Sequence, residues 1–142
     1  MKKLVAVIAF ETVALNLAWE LSQAMFYTCS KDPVRCFWLC LRASLGDVVI
    51  VAGLYGIIAL LFRDRRWFAR FSWAKLMSLM IVGGIIAIGI EKYALAVHRW
   101  EYLPSMPLIP GLAVGVWPVL QMILIPPLIW LSMWWFKPAK LT

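Results

Sequence analysis

The chain has 142 residues, 64% of them hydrophobic and 15% charged, with a net charge of +7. So few polar groups cannot cover a water-soluble domain, and an integral membrane protein made of one all-α unit is the class that remains. The basic residues are dispersed at the ends of apolar stretches and form no nucleic-acid motif, so anionic membrane lipids, not nucleic acid, are the expected counter-charge.

Four apolar stretches each reach the roughly 20 residues that a helix needs to cross a hydrocarbon core: 4–27, 39–62, 74–97 and 112–136. The whole chain, 1–142, is thereby used in a single transmembrane domain. The opening "MKKLVAVIAF" imitates a signal peptide. Glu11 interrupts its apolar run, which then resumes to Tyr27 without a small-x-small cleavage site, so it reads as a retained first helix. At about 100° per residue, Asn16, Glu20 and Gln23 fall within an arc of about 60° that Tyr27 continues, a polar stripe on an apolar helix. Glu11 lies about 180° from Glu20 and is expected to snorkel, cap, or meet Lys2 or Lys3. Trp19 sits beside Glu20, deeper than the tryptophans expected at the membrane surfaces: Trp38, Trp100 and Trp117 on one side, and Trp67, Trp73, Trp134 and Trp135 on the other.

The connection "TCSKDPVRC" holds Cys29 and Cys36, as a disulfide or as two free thiols. With one histidine, His98, and three cysteines lacking a C-x-x-C pair, no metal site and no cofactor is expected. The second helix carries Asp47, with Gly46, Gly53 and Gly56 on another side, so it is expected to pack with one face and present its acid with another. The third carries Glu91 above Gly84 and Ala87 on one face, a small-residue strip for a close helix neighbour. The following stretch "HRWEYLPSMPLIPG" is too proline-rich for a helix and is a candidate lid. In the fourth helix Pro118 suits the first turn. Pro126 and Pro127 remove the hydrogen-bond partners of the Met122 and Ile123 carbonyls, which predicts a kink and freed carbonyls on a cavity floor.

Lys and Arg counts set the orientation. Lys2, Lys3, Arg63, Arg65, Arg66, Arg70, Lys75, Lys137 and Lys140 make nine of the fourteen, which predicts that both termini and the middle connection are cytoplasmic, in a bacterial inner membrane. Lys31, Arg35, Arg42, Lys92 and Arg99 fall on the outer side. Measured at 1.5 Å per residue, Glu20, Asp47, Glu91 and Gln121 all lie roughly 4 to 8 Å to the outer side of the midplane. Charged groups in hydrocarbon cost at least about 2.5 to 3.5 kcal/mol each, so they are expected to converge on one outer-side pocket. Three close carboxyls cannot all be ionised there, and a protonated one is a general acid. The candidate catalytic residues are therefore Glu20, Asp47 and Glu91. Asn16, Trp19, Gln23, Tyr27, Trp100, Tyr102, Pro118 and Gln121 are candidates for contacting substrate, the aromatic faces stabilising a developing cation.

The ordered set "NLAWELSQ", "SLGDVV", "EKYALAVHRWEYLPSMPLIPGLAVGVWPVLQ" and "PP" resembles a family of small bacterial four-helix membrane proteins, which implies the fold over nearly the whole chain and no activity. The fragment "LNLAWEL" is similar to the Asn-x-x-Trp-Glu of the integral-membrane terpene cyclases of fungal meroterpenoid pathways. That resemblance implies protonation of an epoxide or olefin of an apolar isoprenoid by the acids. Two other readings use the same residues. One is a small carrier or proton-coupled permease, which at four helices calls for a homo-oligomer. The other is a structural or assembly subunit of a membrane complex, with the polar groups serving as interhelical glue.

Overall fold

The computed structural model describes residues 2–135. Four long helices pack as a bundle: α1 (Lys2–Gln23), α2 (Pro33–Leu61), α3 (Trp73–Ala96) and α4 (Val116–Trp135). All four are long and apolar enough to cross a membrane. Phe136, Lys137, Lys140 and Thr142, and with them the expected end of the fourth helix, lie outside the described residues, as do the side chains of Lys2 and Lys3.

α2 starts at Pro33, well before the expected 39. Asp32 caps it by accepting from the Arg35 amide at 3.1 Å, and Pro33 occupies the first helical position, where its missing N–H costs nothing. α2 and α3 each end on a residue with positive φ where glycine is usual, Arg63 (49°) and His98 (52°). In both, the next amide reaches back five residues, Asp64 to Ala59 and Arg99 to Ala94, closing a Schellman motif. α1 stops at Gln23 and gives way to short 3-10 turns, Ala24–Phe26 and Thr28–Lys31, where helix to Tyr27 was expected.

In the bundle α1 lies between α2 and α4, and α4 between α1 and α3. α2 and α3 meet in the half of the bundle nearest their shared connection, through Leu54, Ile58, Leu76 and Leu79. That half is dry. Trp130 is fully buried, donates to the Phe68 carbonyl at 2.8 Å and packs on Trp67 and Phe71. Trp67 is thus part of this plug and not a surface anchor as expected. Tyr55 adds a cross-link, donating to the Pro126 carbonyl at 2.7 Å.

Two expectations about small residues and prolines are corrected. α2 buries a single stripe, Cys36, Cys40, Ser44, Asp47, Val51, Leu54 and Ile58, so Asp47 sits on the packing face. Gly46, Gly53 and Gly56 meet nothing within 4 Å. On α3 the tightest approach is at Gly83, where a Cβ would stand 2.5 Å from the Met122 carbonyl oxygen. Gly84 faces only the Ile123 side chain at 3.3 Å. The carbonyl that Pro126 frees therefore points at the α3 backbone and not into a cavity floor, and α4 stays helical across both prolines.

The proline-rich connection after α3 forms a small antiparallel hairpin, β1 (Leu108–Ile109) with β2 (Val114–Gly115). It is laced to the end of α1: the Leu103 amide donates to Phe26 at 2.8 Å, the Thr28 amide to Glu101 at 3.2 Å, and Tyr27 bridges Tyr102.

Candidate functional site

α2 and α3 diverge beyond Ile50 and Ala87, and a cavity of about 690 Å³ opens there at the hairpin end of the bundle. Glu20 from α1, Asp47 from α2 and Glu91 from α3 all line it, with Gln121, Pro118 and Met122 from α4. Asp47 and Glu91 are buried and Glu20 half-buried. Asp47 and Glu91 each stand about one turn beyond a buried apolar residue of their own helix, Val51 and Ala87, and Glu20 stands one turn beyond the buried Asn16.

Gln121 is the hub of the layer behind the cavity. Its Nε2 donates to Asn16 Oδ1 at 2.8 Å and to Asp47 Oδ2 at 3.2 Å, and its Oε1 accepts from Gln23 Nε2 at 3.1 Å. Asn16 passes the chain on, donating to the Thr12 carbonyl at 2.8 Å. Glu20 lies beside the Gln121 and Gln23 amides. One acceptor is left over, because Gln23 Oε1 is buried and has no donor among the described residues.

Glu91 is held from the hairpin connection. Tyr102 Oη and Trp100 Nε1 (3.2 Å) both donate to its Oε2, and the Gly115 amide donates to Tyr102 Oη at 3.0 Å. Gly115 has no room for a side chain: a Cβ would meet Tyr102 Oη and the Met106 sulfur at 3.1 Å. Burial raises the Tyr102 phenol above its ordinary range, and its bond to the Glu91 carboxyl raises it further. Burial and then the Glu91 charge do the same to Tyr27, whose ring stands edge-on to Tyr102 at 5.5 Å. Both phenols are thus neutral in the physiological range, and that of Tyr102 is the donor to Glu91.

The candidate contact residues divide into two sets. Tyr27, Trp100, Pro118 and Gln121 line the cavity, whereas Asn16, Trp19, Gln23 and Tyr102 stand behind its wall. Trp19 is turned away because its indole N–H donates to the Trp117 carbonyl at 3.2 Å and its ring packs edge-on against Trp117, clipping α1 to α4. Glu11, which the helical wheel sets apart from the site, accepts from Ser132 on α4 at 2.8 Å. Residues that sequence reasoning missed include Cys40 and Ala43 on α2 and the basic groups Arg35, Arg42 and Arg99, all lining the cavity or its mouth. The spacing of 35, 39, 42, 43 and 46 on one helix face was the available signal. Cys29, also at the mouth, is bonded to Cys36, and Cys40 is a free, buried thiol. No group of three or more metal-ligating side chains occurs among the described residues.

Set against known protein families, characterised proteins and solved structures, the chain matches none of them.

Proposed function

We propose that the protein is a multi-pass inner-membrane protein, both termini cytoplasmic, whose outer-side acidic cavity binds and isomerises a small apolar, isoprenoid-like or lipid-like molecule by acid catalysis. The observation that carries this reading is that three carboxyl side chains from three helices line one cavity, backed by a hydrogen-bonded amide layer. Glu20 is the proposed acid. Asp47 and Glu91 are each committed to hydrogen bonds from Gln121, Tyr102 and Trp100, and a proton on Glu20 would supply the donor that Gln23 Oε1 lacks. In the step, the Glu20 proton forms a C–H bond at an olefin, or protonates an epoxide oxygen. The π or C–O bond breaks, a neighbouring olefin closes on the cation, and a proton lost from carbon returns to a carboxylate. No co-reactant is consumed. Asp47, Glu91 and the Trp100 and Tyr27 rings offset the positive charge. The kinship with the membrane terpene cyclases suggested by "LNLAWEL" belongs to this proposal.

Entry is sideways, where α2 and α3 part. Leu54, Ile58, Leu79, Ile129 and Trp130 are fully buried below the acids, an apolar plug that favours a site open to one face over a carrier.

The test is Glu20→Gln in the full chain, reconstituted in phosphatidylcholine nanodiscs with a terminal-epoxide isoprenoid. The expected result is a cyclised isomer of unchanged mass from the native protein and none from the variant, with both proteins unfolding at similar temperatures. A variant that changes only stability, or that turns over as well as the native chain, would leave the acids as interhelical glue.

A further inference from the structure

The mouth of the cavity has the opposite charge to its base. Arg35 and Arg42 stand on α2, seven residues and so about 10 Å apart along its axis on one face, and Arg99 follows the end of α3 on the other side of the gap. All three are exposed and none forms an ion pair among the described residues. Two acids stand near them: Glu101, which faces the His98 imidazole at 3.7 Å, and Asp32, whose carboxylate accepts from the Arg35 backbone amide, while Glu20, Asp47 and Glu91 lie deeper. Arg99 also stacks over Trp100, 5.7 Å from the ring centroid, next to the indole that holds Glu91. Below the arginines the gap between α2 and α3 is apolar and open: Leu39 is 43% exposed, Gly46 meets nothing within 4 Å, and Ala43 and Ile90 complete the walls.

We infer that this mouth takes a lipid with a phosphate head group, the phosphate seated among Arg35, Arg42 and Arg99 and the hydrocarbon tail lying in the gap between α2 and α3. Guanidinium groups match phosphate oxygens with paired, charge-assisted hydrogen bonds, and on the proposed orientation this unpaired trio at the outer end of the bundle suits such a ligand. A neutral hydrocarbon would use the gap and ignore the arginines, whereas a free anion would use the arginines and ignore the gap. A phosphate-bearing lipid uses both. Its head would be held at the rim, and the first carbons of its tail would pass the carboxyl layer. Binding stands independently of the proposed lipid-converting reading, and only the chemistry after binding rests on it.

The experiment measures retention of radiolabelled phosphatidic acid on the full chain in phosphate-free maltoside detergent, against diacylglycerol as the head-group-free control and inorganic phosphate as competitor. Retention of phosphatidic acid should exceed that of diacylglycerol. Arg35→Gln/Arg42→Gln/Arg99→Gln should lower it at least about tenfold. Ala43→Trp, which fills the gap and spares every arginine, should lower it as well. Equal retention of diacylglycerol, or no loss in the triple variant, would overturn the head-group assignment. Unchanged retention in Ala43→Trp would overturn the tail's place, and displacement by inorganic phosphate would identify a free-anion site instead. Retention is read without any turnover of an isoprenoid, so failure of the acid chemistry and failure of the lipid site give different results.

Discussion

Gly83→Ala tests how closely the site depends on helix spacing. The added methyl would stand 2.5 Å from the Met122 carbonyl oxygen and 3.3 Å from its carbon, whereas ordinary contact begins at 3.4 Å. The shortfall to the oxygen, 3.4 minus 2.5, is 0.9 Å, and the obstructing atoms are backbone, so relief requires α3 and α4 to move apart. Overpacking of this kind costs about 1 to 3 kcal/mol, and alanine's helix propensity returns at most about 1 kcal/mol. Gly84→Ala and Gly89→Ala are the controls. The first meets only the end of the Ile123 side chain at 3.3 Å and the second meets nothing within 4 Å, so both should be neutral or stabilising. Thermal unfolding in detergent should rank Gly83→Ala clearly below the native chain and Gly89→Ala at or above it. If Gly83→Ala matched Gly89→Ala, the close approach of the Met122 carbonyl to α3 would be refuted.

Gln121→Leu should destabilise by several kcal/mol in the same assay, because it strands the buried Asn16 oxygen and the Gln23 amide together and removes a donor from Asp47. Gln121→Glu, which keeps the shape but gives up the donors, should be no milder. At the opposite end, the hydrogen bond from Lys75 at 3.1 Å holds Asp64 below its usual value of 3.8. Its contribution is present above that value and is lost as pH falls through the depressed folded value. Lys75→Met should therefore abolish the difference in stability between neutral and strongly acidic solution that is due to this pair, and an unchanged acid limb would count against it. Reporter fusions after Thr142 and within residues 64–72 should both report cytoplasm, and a periplasmic signal from either would reverse the proposed orientation.

Four apolar stretches and the depth of their polar residues could be read along the chain, because hydropathy and a rise of 1.5 Å per residue are local properties. What the acids touch could not. Glu91 is clamped by Tyr102, eleven residues on, and that clamp depends on the hairpin Leu108–Ile109/Val114–Gly115, which only the fold brings back across the end of α1. The glycines misled for a related reason. Spacing places Gly84 on the Glu91 face, but close approach is decided by where the partner backbone lies, and the Met122 carbonyl lies opposite Gly83. Trp19 looked like a site residue because it neighbours Glu20, yet adjacent residues on a helix point about 100° apart, and Trp117 was there to take its N–H. The basic mouth went unread because Arg35, Arg42 and Arg99 were counted for topology alone.

Hydrogen-bond capacity narrows the division of labour within the polar layer. A glutamine amide has two N–H donors, and both of those on Gln121 are spent, on Asn16 and Asp47. Gln121 lines the cavity but has no donor to offer a ligand, so its part is to position Asp47 and to tie α1 to α4. The same holds for Trp100, whose single indole N–H goes to Glu91. Glu20, Asp47 and Glu91 share the cavity lining with the Tyr27 phenol and the free Cys40 thiol, and on the proposed reading it is the carboxyls that exchange the proton. Replacing Gln121 should thus be felt as altered stability and altered placement of Asp47, whereas replacing Glu20 should be felt in turnover at nearly constant stability. That contrast would separate a carboxyl site with an amide scaffold from a layer in which every polar group is glue.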